Sequence, residues 1–297
     1  MGNFRNICTV ALLSAGKHVA ARDILDMRKN VLLTIAYDGS GFHGWQRQPS
    51  EITVQGHLET VMSRLFKTDI ILNGTSRTDA GVHAYGHRAS FKADLGIPTE
   101  RIPMAVNNAL AGAQKGAFAI SPVRILKAED MPDEFHARFD SKGKQYIYRI
   151  RNSEHINVFD RNYVYHVRER LDVDAMIAGA RALTGTHDFK SFEASGGNPR
   201  ETTVRTIYGA EIKVDESVDP IGHGGRDVKL YIKGDGFLYN MVRIITGTLV
   251  DMGLGRISPD EMTDIITAAD RRCAGHTAPP YGLYLAEVFY DISKLQV

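Results

Sequence analysis

A chain of 297 residues, 43% apolar and 24% charged, has the makeup of an ordinary globular protein and the length for two domains. Lys and Arg number 36 against 35 Asp and Glu, so the net charge of +1 excludes bulk attraction to nucleic acid or to an anionic membrane, and any such partner must meet a local basic surface. No apolar run reaches the ~18 residues of a membrane-spanning helix, and two cysteines, Cys8 and Cys273, make neither a disulfide framework nor a zinc site and fit a reducing, cytoplasmic setting.

Residues 1–29 read as an N-terminal extension, disordered or non-native. Ile7 to Ala15 is a short apolar run after a thin basic start, a poor signal-peptide core, and Met27 is the better start. Ala15-Gly16-Lys17 lacks the spacing and the hydroxyl of a phosphate loop.

From Val31 to Tyr37 the chain alternates as a strand does, and Asp38-Gly39-Ser40-Gly41 turns it. Thr53 is placed to cap a helix with Val54, Leu58, Val61, Met62 and Leu65 on one face. Short strands are expected at Asp69–Leu72 and Arg88–Lys92, a helix from Thr99 through Ile102, Val106 and Leu110, and an extended segment from Ala117 to Leu126. A similar order follows. Tyr146–Ile150 and Tyr163–Val167 read as strands, and Asp172 opens a helix through Leu183 that Gly185 stops. Thr203–Val214 and Val228–Ile232 are strands, Leu238 to Leu249 is a helical stripe, Ser258-Pro259-Asp260-Glu261 is a capping box, and Leu283–Tyr290 closes the chain as a strand. The pattern predicts an α+β protein of two β-α-β-β-α-β, ferredoxin-like lobes, 30–128 and 129–297, with mainly antiparallel sheets and a cleft between them. The boundary is expected in the polar stretch Lys127 to Pro132.

The most informative segment is Asn73 to Phe91, where Gly74, Gly81 and Gly86 surround a charged cluster. Arg77 and Asp79 are two apart, near enough to pair, and a guanidinium keeps a carboxylate ionised and oriented. Such a carboxylate on a loop serves as nucleophile or base; spacing alone favours an ion-paired surface turn, since solvated Asp in loops is common. His83 and His87, four apart, carry the spacing of a metal pair on a helix, but the neighbouring glycines oppose a helix and no third ligand is evident, so no metal is expected.

Arg77-Thr78-Asp79-Ala80-Gly81-Val82-His83-Ala84 resembles the signature of the tRNA pseudouridine synthase A family. The resemblance runs from about residue 30 to 290. It takes in Tyr37-Asp38-Gly39, Phe42 to Gln46, Thr53 to Gly56, Phe135 to Phe139, Lys144 to Tyr148, Asp188-Phe189, Phe237 to Arg243, and Ala278-Pro279 with Gly282-Leu283, in family order. One departure is Ser76, where the family commonly has Gly. The resemblance implies isomerisation of uridine to pseudouridine at positions 38 to 40 of the tRNA anticodon stem-loop, without a cofactor. It implies Asp79 as nucleophile, attacking ring C6 or the ribose anomeric carbon, Tyr146 at the uracil, and Arg77 and Arg243 as holders of Asp79 and a phosphate. It also implies a homodimer spanned by tRNA. Arg47, Arg88, Lys142 and Arg168 are candidate tRNA contacts, each of which alone reads as a solvated charge. The alternatives are a synthase of the same family with another RNA target, a non-catalytic tRNA-binding protein, and a metal-dependent hydrolase built on His83 and His87.

Overall fold

The computed structural model describes residues 28–112, 120–197, 201–216 and 225–295. Residues 1–27, with Cys8 and Ala15-Gly16-Lys17, lie outside the described residues, as do the first three residues of the predicted segment from Ala117. The elements in chain order are β1 (Lys29–Tyr37), α1 (Val54–Phe66), β2 (Asn73–Gly74), β3 (His83–Ala93), α2 (Ile102–Gly112), β4 (Val123–Met131), β5 (Gly143–Asn152), β6 (Tyr165–Val167), α3 (Val173–Arg181), β7 (Gly185–Asp188), β8 (Val204–Asp215), β9 (Arg226–Gly234), α4 (Met241–Gly253), α5 (Glu261–Ala268) and β10 (Leu283–Phe289).

Among the described residues the strands form one ten-stranded sheet in the order β4-β1-β3-β10-β5-β9-β8-β7, with β2 on β3 and β6 on β5. Pairing is antiparallel except for β3 with β10 and β5 with β6. The path contains two β-α-β-β-α-β units, β4-β1-β3-β2 and β10-β5-β9-β8, each with its first strand between its third and its last. They meet where β10 runs beside β3 over Tyr284↔His83 and Leu285↔Ala84. Gly86 permits the approach, since a Cβ there would stand 2.6 Å from the Ala286 carbonyl oxygen.

Thr53 and Asp172 cap their helices as the sequence places them, whereas α5 starts at Glu261, past Pro259, and keeps only the Glu261 half of the capping box. Thr53 Oγ1 accepts from the Gly56 N–H at 3.3 Å, Asp172 Oδ1 from Ala175 N–H at 3.0 Å, and Glu261 Oε2 from Ser258 N–H at 2.9 Å. The α1 stripe buries Val54, Leu58, Val61 and Met62, while Leu65, at its end, is exposed. The α4 stripe begins at Met241 rather than Leu238, because Asn240 just before it is left-handed (φ +59).

Asp69–Leu72 is not a strand, although Ile70 and Leu72 are buried and Ile71 is exposed. Helix side chains take its backbone groups instead. Glu59 Oε1 accepts from Leu72 N–H and Gln55 Nε2 donates to the Leu72 carbonyl, at 2.9 and 3.0 Å. The two-residue β2 follows. Replacing Glu59 with Ala leaves a buried N–H unpaired and is expected to cost about 1–3 kcal/mol in urea unfolding; an unchanged midpoint would show that the carboxylate is dispensable. The polar stretch Lys127 to Pro132 is occupied through Met131 by β4, an edge strand whose outer face tolerates charge. β3 begins five residues before the predicted Arg88, β6 two residues after Tyr163, and β7, short and polar, has no counterpart among the predicted strands.

Candidate active site

A cleft of about 550 Å³ lies between the two units. Its first wall is Gly74 to Asp79, the loop between β2 and β3; its second is Tyr146 on β5 with Phe237 to Arg243, leading into α4. The loop is anchored at Thr75 and Thr78. Thr75 Oγ1 donates to the Arg88 carbonyl at 2.9 Å, Thr78 Oγ1 pairs with Tyr37 Oη at 2.7 Å, and the Thr78 carbonyl accepts from Trp45 N–H at 3.1 Å. After Asp79 the chain turns sharply: Val82 N–H donates to the Asp79 carbonyl at 3.2 Å, with Gly81 left-handed at φ +78.

Asp79 is half-buried, and its Oδ2 lies 3.4 Å from Arg243 Nη1. Arg243 is itself fixed: Nε donates to the Ala278 carbonyl at 2.8 Å and Nη1 to Asn240 Oδ1 at 2.7 Å. Burial raises the Asp79 carboxyl above its ordinary value, and the Arg243 charge and hydrogen bond oppose the rise without cancelling it. Tyr146 is buried, its ring edge-on to Phe237 at 5.1 Å and its hydroxyl 2.9 Å from Ser76 Oγ. Burial pushes its phenol up to about 12, the Ser76 bond opposing and the Asp79 charge adding to the rise, so it is neutral near pH 7. One ionisable carboxylate, one clamped guanidinium and one neutral phenol thus face a common space.

A family model described as tRNA pseudouridine synthase matches residues 180–291. "tRNA pseudouridine synthase A 2" of Clostridium tetani is 42% identical over 267 residues, covering 89% of this chain and 100% of the relative. "tRNA pseudouridine synthase A" of Ruminiclostridium cellulolyticum is 44% identical over 264 residues, covering 89% and 100%, and that of Bacillus pumilus is 42% identical over 263, covering 88% and 99%. The chain belongs to the tRNA pseudouridine synthase A family. In this member, Asp79 takes its ion pair from Arg243 and not from Arg77, which is exposed at the cleft wall. The half-buried carboxylate thus meets a guanidinium that is itself partly buried and held by hydrogen bonds, while Arg77 is exposed. Ser76 is not left-handed, so its place in the family signature carries no backbone strain.

The tRNA candidates fall outside the cleft lining. Arg88 is engaged within the protein, bonded to Glu129 at 2.7 Å and Thr34 at 2.8 Å and over the Tyr290 ring. Arg47 pairs with Glu59 at 3.1 Å while staying largely exposed, Arg168 is exposed with Glu154 3.8 Å away, and Lys142 is exposed before β5. Arg138 and Lys144 do line the cleft. Lys144 was legible in principle, standing two residues before Tyr146 on the same face of a strand.

His83 and His87 lie on β3, not on a helix. His83 Nε2 meets the carbonyls of Asn162 and Tyr281 at 3.0 and 3.1 Å, and its Nδ1 accepts from Gly39 N–H at 3.1 Å. His87 is fully buried, stacked on Trp45 at 3.7 Å. Burial drives it down to about 3, so it is neutral and Nε2–H donates to the Ser76 carbonyl at 2.9 Å. Among the described residues no three His, Cys, Asp or Glu are grouped to hold a metal, and no helix is long and apolar enough to cross a membrane.

Proposed function

We propose that this chain isomerises uridine to pseudouridine in tRNA, at positions 38 to 40 of the anticodon stem-loop, by covalent catalysis from Asp79. The observation that carries the reading is the Asp79–Arg243 pair set 164 residues apart in sequence and closed at 3.4 Å over a cleft with Tyr146. The names of the relatives supply the reaction and the substrate class.

The target uracil leaves the stack to enter the cleft. Asp79 attacks ring C6 or the ribose anomeric carbon, the N1–ribose bond breaks, the ring turns, and C5 joins the anomeric carbon. If C6 is attacked, the carboxylate leaves C6 as the C5 proton departs; if the anomeric carbon is attacked, C5 displaces the carboxylate from it before that proton departs. In either case N1 takes up a proton, so the net change is an isomerisation without a redox step or cofactor. Arg243 keeps the desolvated carboxylate ionised, and Arg77, exposed at the rim, meets a phosphate. The Tyr146 ring stacks on uracil and its hydroxyl serves the departing proton. The reading includes lobes 30–128 and 129–297, a homodimer across which tRNA lies, contacts from Arg47, Arg88, Lys142 and Arg168, and a cytoplasmic setting.

The test is pseudouridine mapping on tRNA transcripts incubated with the protein. Modification at 38 to 40 supports the reading, modification elsewhere keeps the family chemistry and removes the positions, and binding without product favours a non-catalytic protein. Tyr146→Phe is expected to bind tRNA normally and slow product formation by about 10²-fold; near-normal turnover would remove the proton role.

A further inference from the structure

Tyr146 needs more than burial to act on a proton. A phenol O–H turns about its C–O bond, and Phe237 packed edge-on fixes the ring but not that hydrogen. The hydroxyl within reach is Ser76 Oγ at 2.9 Å. Ser76 is itself firmly held. Its carbonyl accepts from His87 Nε2, whose ring lies stacked on Trp45 and is buried completely, and its neighbour Thr75 is tied to β3 through the Arg88 carbonyl. The hydroxyl therefore reaches Tyr146 from a rigid bed, across the junction of the two units, and not from a free loop.

We propose that Ser76 is a positioning residue for the reaction, its hydroxyl orienting the Tyr146 phenol over the flipped uracil. The proposal rests on the reading of Tyr146 given above. Serine donates and accepts, so when Ser76 donates into the phenol oxygen, the phenol's own hydrogen is turned into the cleft. Heavy atoms need not move for the two to exchange roles, which suits a group that must be donor at one stage and acceptor at another. A glycine or alanine at this position leaves the phenol hydrogen to water. The backbone bond from His87 does not involve the Ser76 side chain, so removing the hydroxyl leaves the loop anchored.

The experiment is a double-mutant cycle on wild type, Ser76→Ala, Tyr146→Phe and the double variant. Single-turnover rates are measured at saturating enzyme on one tRNA transcript, and tRNA affinity is measured separately. Ser76→Ala is expected to slow the chemical step about tenfold with tRNA affinity within about twofold of wild type, and to have less than about a twofold effect when Phe already stands at 146. Three results overturn the proposal alone: a wild-type rate for Ser76→Ala, the same tenfold loss in the Tyr146→Phe background, or a loss confined to tRNA affinity. A wild-type rate for Tyr146→Phe overturns the Tyr146 reading and this proposal with it, so the two failures are distinguishable.

Discussion

Asp79→Asn is expected to abolish pseudouridine formation, by about 10⁴-fold or more, while leaving the fold at least as stable as wild type near pH 7. Asn keeps the shape and cannot form the ester-like bond that the carboxylate forms and breaks. The stability arm follows from the direction of the Asp79 shift. Burial raises the folded-state value above that of the unfolded chain, so folding favours the protonated group. The stability it contributes is complete below the ordinary carboxylate range and is lost as pH rises through the raised value. Near neutrality the ionised carboxylate opposes folding, and a neutral amide relieves it. Single-turnover mapping and a thermal melt at pH 7 check both arms. Activity within about tenfold of wild type would remove Asp79 as nucleophile, and a collapsed melt would mean that the loss of activity is loss of fold.

Arg243→Gln is expected to slow the reaction about 10²-fold at pH 7 and to move the acid limb of the pH–rate profile upward. Two effects act on Asp79: burial raises it, and Arg243 lowers it through charge and a hydrogen bond. Removing the second leaves the first unopposed, so Asp79 takes up its proton at a higher pH and activity begins to fail there on acidification. The Ala278 carbonyl and Asn240 also lose their donor, which loosens the start of α4 against the segment before β10. Rates measured from pH 4 to 9 decide it. An acid limb that stays where it is in wild type would show that Arg243 serves the substrate and not the carboxylate.

The parts of the fold with a long apolar period were readable in advance. Val31–Tyr37 alternates and is β1, and the stripes of α1, α2 and α4 face the core. The strands whose bounds differ from expectation are those whose residues carry little of that period. β7 is four residues, Gly185-Thr186-His187-Asp188, without an apolar side chain, and β4 runs on through charged Lys127 to Asp130 because an edge strand needs only one partner, here β1. At Asp69–Leu72 the alternation is genuine, yet side chains of α1 satisfy the backbone, a substitution no local pattern announces. The site divides the same way. The Asp79 segment announces itself by its glycines and its family signature. Its ion-pair partner does not, since spacing offered Arg77 and the tertiary structure brings Arg243 from α4. Tyr146 packs in the core with Tyr148 and Ile150, as alternate residues of a strand do, and its hydroxyl still reaches the cleft wall.

β10, the latest strand in the chain, lies in the middle of the sheet, between β3 and β5. Synthesis proceeds from the N-terminus, so a nascent chain on the ribosome presents β3 and β5 before the strand that joins them exists. Until then the wall bearing Asp79 and the wall bearing Arg243 have no shared strand to dock on, and the carboxylate lacks its counter-ion. The two walls of the cleft therefore gain their common support only when the last of the described strands has been made.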